Sequence, residues 1–133
     1  MLADTLLCIT VALASGETPA RGSIGVCLDI AAAAEAADVP PVLAVVIGWH
    51  ETRWRDDLVS SAGACGPMQT MPVHGGCDAA TGVQVLRRYI LRRWRAGRPL
   101  AGAICDYACG PARRYDSCRW SRERLGHVME VVR

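Results

Sequence analysis

The stretch "VLAVVIGWHETRWRDDLVSSAGACGPMQTMP", residues 42–72, decides how the chain is read. It opens as an apolar run, Val42 to Trp49, and ends in a polar segment that carries Ser60, Gly63, Gly66 and Gln69. An apolar run with no polar face reads as a buried helix. Glu51 stands where that run stops, at the edge of a core and in the last helical turn. The negative end of the helix dipole lies there. Burial and the dipole both disfavour the charged form and raise the pKa of the carboxyl group. An acid that stays protonated near neutral pH is what glycosidic bond cleavage needs as proton donor.

Upstream, Asp38-Val39-Pro40-Pro41 breaks the chain, and Pro41 suits the first turn of the central helix, where no N–H is required. Before the break a helix is expected from an N-cap near Ser23 to about Ala37. Ile24, Cys27, Leu28 and Ala31 share one of its faces. Downstream, residues 53–76 read as irregular, with a short helical turn around Met68 to Met71. So long an irregular segment in a small domain is usually functional. An amphipathic helix follows, about Ala79 to Ala96. Val83, Leu86, Ile90 and Trp94 line one side, and Arg87, Arg88, Arg92 and Arg95 form a solvated face. Gly97 and Pro99 close it. "LAGAICDYAC" reads as a short helix ended by Gly110-Pro111. A last helix covers about Cys118 to Val132, with Leu125, Val128, Met129 and Val132 on its apolar face. No strand pattern appears, so the expected fold class is all-α (mainly α).

Four separated pieces agree in order and spacing with a known family. Glu51 is followed nine residues later by Ser60, then by "GACGPMQTMP" with Gly66, Met68 and Gln69, then by "DYACGP" with Tyr107, Gly110 and Pro111. Over roughly residues 24–132 the chain resembles the soluble-type lytic transglycosylases, relatives of goose-type lysozyme. Those enzymes carry a catalytic glutamate, a serine nine residues on, a segment ending Gly-Leu-Met-Gln and a later Ala-Tyr-Asn-Ala-Gly-Pro. Here Pro67 stands for the leucine, Ala108 for the asparagine, and Thr52 follows the glutamate in place of serine.

The resemblance implies a compact lysozyme-like helical domain that cleaves the β-1,4 bond between N-acetylmuramic acid and N-acetylglucosamine. Glu51 is then the acid and base, with Ser60, Met68, Gln69 and Tyr107 at the substrate. Tyr107 offers a flat apolar face with a polar tip, suited to a sugar ring. Met68 fits core and cleft wall equally. A hydrolase would need a second carboxylate. Asp56, Asp57, Asp78 and Asp106 are the candidates. Asp56 and Asp57 share a loop with Arg53 and Arg55, which makes solvated ion pairs the simpler account. Asp106, beside Tyr107, is the candidate for positioning a water. Two alternatives stand beside a transglycosylase: a hydrolytic lysozyme using the same Glu51, and a catalytically inactive wall-binding or assembly module.

His50-Glu51 also begins the metalloprotease pattern H-E-x-x-H, but the second histidine position is Trp54. No metal and no cofactor are expected. The 133 residues make one domain, 51% of them apolar. The net charge of +2 comes with fifteen basic residues, all arginine. It does not demand a nucleic acid and suits an anionic polymer such as peptidoglycan glycan strands. The context could be a secretion or conjugation apparatus, a phage assembly or general wall turnover, with the protein a monomer.

Seven cysteines without a C-x-x-C read as disulfides and so as an oxidising compartment, periplasmic or extracellular. Cys65 with Cys77 and Cys109 with Cys118 bracket loops they could staple, and Cys27 with Cys105 is the remaining pair. Residues 1–22 read as a signal peptide or leader plus linker, with Ala12-Leu13-Ala14 as an A-x-A cleavage site and 23–133 as the domain. Asp4 and the lack of basic residues weigh against a leader. The alternative is a first helix retained in the domain. The run is too short for stable membrane insertion.

Overall fold

The computed structural model describes residues 2–97, 100–110 and 118–133. Pro99, Pro111 and most of the segment between Cys109 and Cys118 lie outside the described residues. The described residues form six α-helices: α1 (Leu2–Ser15), α2 (Ser23–Ala36), α3 (Pro41–Thr52), α4 (Ala79–Arg95), α5 (Leu100–Cys109) and α6 (Arg119–Val132). A short 3-10 turn, Pro72–His74, precedes α4. Among the described residues the only extended pairing is two isolated bridges, Val59 with Cys65 and Cys65 with Thr70. The fold is all-α, as the lack of strand patterning implies.

The apolar run of α3 is buried because α1, α2 and α6 pack around it, and Leu43 to Trp49 are all inside. Pro41 occupies its first turn. Its end is abrupt. Arg53 and Trp54 both take left-handed backbone, with φ of 57° each, which throws the chain back over the helix. The Trp54 indole returns edge-on to Trp49 at 4.7 Å between ring centroids, and its Nε1 donates to the Val45 carbonyl at 2.8 Å. Two buried tryptophans with a satisfied indole N–H hold this reversal against the helix.

The run read as a leader is α1, a helix packed on α2, α3 and α6. Cys8, Val11 and Ala12 are buried, and Cys8 is bonded to Cys27. Cys27 therefore does not pair with Cys105. Its partner lies on α1, within the residues 1–22 set apart from the domain by their leader-like pattern, and the packing of α1 on α2 brings the two sulfurs together. Cys65 is bonded to Cys77, which closes the irregular segment. Cys109 and Cys118 form no disulfide.

Other details depart from the periodicity. The short helical turn lies at 72–74, not 68–71, because residues 65–70 close on themselves through paired Cys65 and Thr70 backbone bonds, both 2.9 Å. Trp94 is 79% exposed. It lies in the last two turns of α4, beyond the stretch whose Val83, Val85 and Leu86 face the core. The arginine face of α4 is not wholly solvated, since Arg87 Nε donates to the Ala37 carbonyl at 2.9 Å and so ties α4 to the end of α2.

Candidate active site

Glu51 lies in the last turn of α3 and opens into a cleft of about 440 Å³. The floor and one wall come from the irregular segment through Ser60, Gln69 and Thr70. The other wall comes from Val85 and Tyr89 of α4 and from residues 106–110 at the end of α5. The Glu51 side chain is only 19% exposed. Burial raises its pKa, opposed by the Arg124 guanidinium. Arg124 Nη2 donates to Glu51 Oε1 at 3.2 Å. Arg124 comes from α6, is itself 5% exposed, and has a buried Nε with no hydrogen-bond partner. The guanidinium thus favours the carboxylate form, yet burial prevails. The net result is an acid held above its ordinary range with a charge-stabilising partner against one oxygen.

The loop beneath Glu51 is tied to α3 by Thr52, whose hydroxyl donates to the Pro67 carbonyl at 2.8 Å and accepts from the Arg55 N–H at 3.1 Å. Thr52 thus supplies a hydroxyl where the resembling family has serine. Gly66 has φ of 77°, and a Cβ there would fall 1.7 Å from the Cys77 carbonyl oxygen. No other residue fits that crossing without moving the disulfide-bonded strand of chain. The Ser60 hydroxyl accepts from the Ala64 N–H at 3.0 Å. It lines the cleft but does not touch Glu51, whose side-chain partner is Arg124. Gln69 also lines the cleft, in left-handed backbone with φ of 52°. Its amide nitrogen donates to the Leu58 and Gly66 carbonyls, at 3.2 and 3.1 Å. Both polar side chains shape the loop as well as face the cleft.

Met68 is different. Its side chain is fully buried against Gly82 of α4, where a Cβ would come within 2.6 Å of the Met68 Cβ. It belongs to the core, and only its carbonyl serves the site. Tyr107 donates its hydroxyl to that carbonyl at 2.7 Å and stands edge-on to Tyr89 at 6.5 Å between centroids. Burial, and then the nearby Glu51 carboxylate, push the Tyr107 phenol upward, so it remains a neutral donor. Asp106 borders the cleft, but both its oxygens are taken by Arg93, each at 2.7 Å, and its side chain is 1% exposed. A carboxylate locked in this way is poorly placed to hold a water. Asp57 pairs with Arg55 at 3.5 Å, as the loop reading implies, whereas Arg53 reaches back to Glu17 at 2.7 Å.

His50 is neither isolated nor exposed. Its ring meets His127 of α6, Nε2 to Nδ1, at 3.0 Å. His127 Nε2 lies 2.9 Å from the Val11 carbonyl of α1. A carbonyl only accepts, so His127 carries its proton on Nε2 and its Nδ1 accepts from His50 Nε2–H. Burial, followed by Arg124 and His127, pushes His50 down to about 4. His50 is therefore neutral near pH 7, and the pair pins α1, α3 and α6 together.

Sequence reading missed Arg124, Tyr89 and His127. Arg124 lies 73 positions from Glu51. Its one local signal is that it falls on the same face of α6 as Leu125 and Val128, where a solvated arginine is out of place.

Residues 29–89 match the family model described as the transglycosylase SLT domain. No curated protein and no solved structure matches the chain. The matched segment runs from α2 to α4 and contains Glu51, the loop beneath it and the Cys65–Cys77 bridge. With Glu51 buried at the end of α3 and the loop closed under it, residues 29–89 are similar to the transglycosylase SLT domain, a family that acts on peptidoglycan by glycosidic bond cleavage.

Proposed function

We propose that the protein is a lytic transglycosylase that cleaves the bond between N-acetylmuramic acid and N-acetylglucosamine and releases 1,6-anhydromuramyl ends. The observation that carries this reading is the cleft's carboxylate inventory. Glu51 and Asp106 border it, and Asp106 is consumed by Arg93. Among the described residues of the cleft, Glu51 is then the one carboxyl group not held at both oxygens by a guanidinium. A hydrolase needs a second group to hold a water or to act as nucleophile, whereas an internal hydroxyl is brought by the substrate itself.

Protonated Glu51 donates to the bridging oxygen as the C1–O bond breaks through an oxocarbenium-like state. The muramyl 6-hydroxyl oxygen then bonds to C1 and returns its proton to Glu51. One residue acts as acid and then as base. The raised pKa keeps the proton available for the first half. Arg124 steadies the carboxylate that exists between the halves. Holding the 6-hydroxyl near C1 supplies up to about 7–11 kcal/mol in well-oriented cases. Ser60, Gln69 and Tyr107 face the sugar, with Tyr107 held in place by the Met68 carbonyl. Action on peptidoglycan accords with an exported protein, and no helix among the described residues is long and apolar enough to cross a membrane.

The test is digestion of purified peptidoglycan followed by mass spectrometry without reduction. Anhydro ends, lighter by one water than hydrolytic ends, are the expected product. Dominant reducing ends mean a hydrolase, and no product at all means a wall-binding module.

A further inference from the structure

We propose that Cys105, Cys109 and Cys118 form a thiolate site for a zinc ion, separate from the chemistry at Glu51. Their sulfurs all lie within 4.8 Å of one another. Cys105 and Cys109 are one turn apart on α5, and Cys118 caps the start of α6. Four of the seven cysteines are joined as Cys8–Cys27 and Cys65–Cys77. These three are brought together without a disulfide.

The triangle suits an ion better than a bridge. A disulfide uses two sulfurs and leaves out a third that lies within the same 4.8 Å. Thiolates on zinc sit about 2.3 Å from the metal, which places neighbouring sulfurs roughly 3.8 Å apart at tetrahedral angles. Three sulfurs inside 4.8 Å reach that arrangement through side-chain adjustments alone. Soft thiolate donors in a set of three select a closed-shell, thiophilic ion over magnesium or calcium. Cys105 and Cys118 are buried, while Cys109 is half-buried and borders the cleft. Cys109 is therefore the ligand on the cleft side. Spacing alone conceals the site, because no C-x-x-C exists and Cys118 joins the other two only when α5 and α6 pack.

The ion would brace the end of α5 against the start of α6. α5 carries Tyr107 into the cleft and α6 carries Arg124 to Glu51, so the brace would steady the wall of the cleft that no disulfide reaches. Such a site contributes to folding when filled.

The experiment uses the full chain, reduced and equilibrated with zinc under reducing conditions. Bound metal is counted by elemental mass spectrometry, and cobalt(II) serves as an optical probe. The expected result is about one zinc per chain and a thiolate-to-cobalt charge-transfer band. Both should be lost in Cys109→Ser, which changes a half-buried position, and in Cys118→Ser, which leaves a good helix cap. The triple variant Cys105→Ser/Cys109→Ser/Cys118→Ser, treated identically, controls for thiols released from the two bridges. Zinc well below one per chain overturns the proposal. So does zinc retained in the triple variant, or a disulfide within this trio in protein isolated without reductant.

Discussion

The two walls of the cleft are held by different means. On the side of residues 58–77, the backbone does most of the work. Cys65 and Thr70 bond each other twice, Ser60 and Ala64 close a turn, and the Cys65–Cys77 bridge seals the segment. On the side of α5 and α6, single long-range side-chain contacts do it: Tyr107 to the Met68 carbonyl, Asp106 to Arg93, Arg124 to Glu51. The family match, residues 29–89, covers the first wall and, of the second, only Val85 and Tyr89 of α4; α5 and α6 lie beyond it. A wall made of backbone bonds needs glycine and cysteine at set positions and leaves a trace in the sequence. A wall made of ion pairs can draw its charges from any helix that passes. The acid and its loop thus lie within the matched segment, while Arg124 and Tyr107, which touch or flank the acid, lie beyond it.

Four perturbations sharpen that contrast. The largest effect belongs to the acid. Glu51→Gln keeps the shape and removes the proton, and clearing of purified peptidoglycan should fall at least about a hundredfold. A variant that keeps most activity, with an unchanged fold by circular dichroism, would show that the cleft's chemistry lies elsewhere.

Arg124 comes next. Arg124→Met removes the cation that opposes burial, so the Glu51 pKa rises further and the acid form persists to higher pH. The alkaline limb of the activity profile should move upward while the maximal rate drops by about tenfold or more through lost positioning. Arg124→Lys should restore part of the rate. An unmoved limb would mean that Arg124 only packs.

Asp106 separates structure from catalysis on the same wall. Asp106→Asn leaves Arg93 without its carboxylate in a mostly buried place, which should cost about 3 kcal/mol and lower the Tm by several degrees. Folded protein below that Tm should keep its product type. A switch in product, or a complete loss of activity without a change in Tm, would return Asp106 to the role of positioning a water.

The smallest effect is expected from pH. His50 is pushed from 6.5 to about 4, so between those values the unfolded chain binds a proton that the folded chain refuses. The stabilisation is complete above about 6.5 and is lost as the pH falls toward 4. The Tm should therefore decline across that window, and less so in His50→Gln. An equal decline in both proteins would place the acid sensitivity in other groups.

The sequence by itself determined the all-α class, the buried α3 and the place of Glu51. These follow from local facts: an apolar run with no polar face, a proline in its first turn, and a carboxylate where the run ends. It determined the irregular loop as well, through its glycines and prolines, whereas the close crossing of Gly66 and Cys77 appears only in the fold. Tertiary structure alone decided the environment of the acid. Arg124 is 73 positions from Glu51, and Val11 is 116 from His127. No spacing rule reaches that far. It also decided that Met68 turns inward, that Arg93 occupies Asp106, and that Cys27 finds Cys8. Each of these choices depends on which helix faces which. Burial and distance between chain-distant groups set pKa values and ion pairs, and those quantities come into being only when the helices pack.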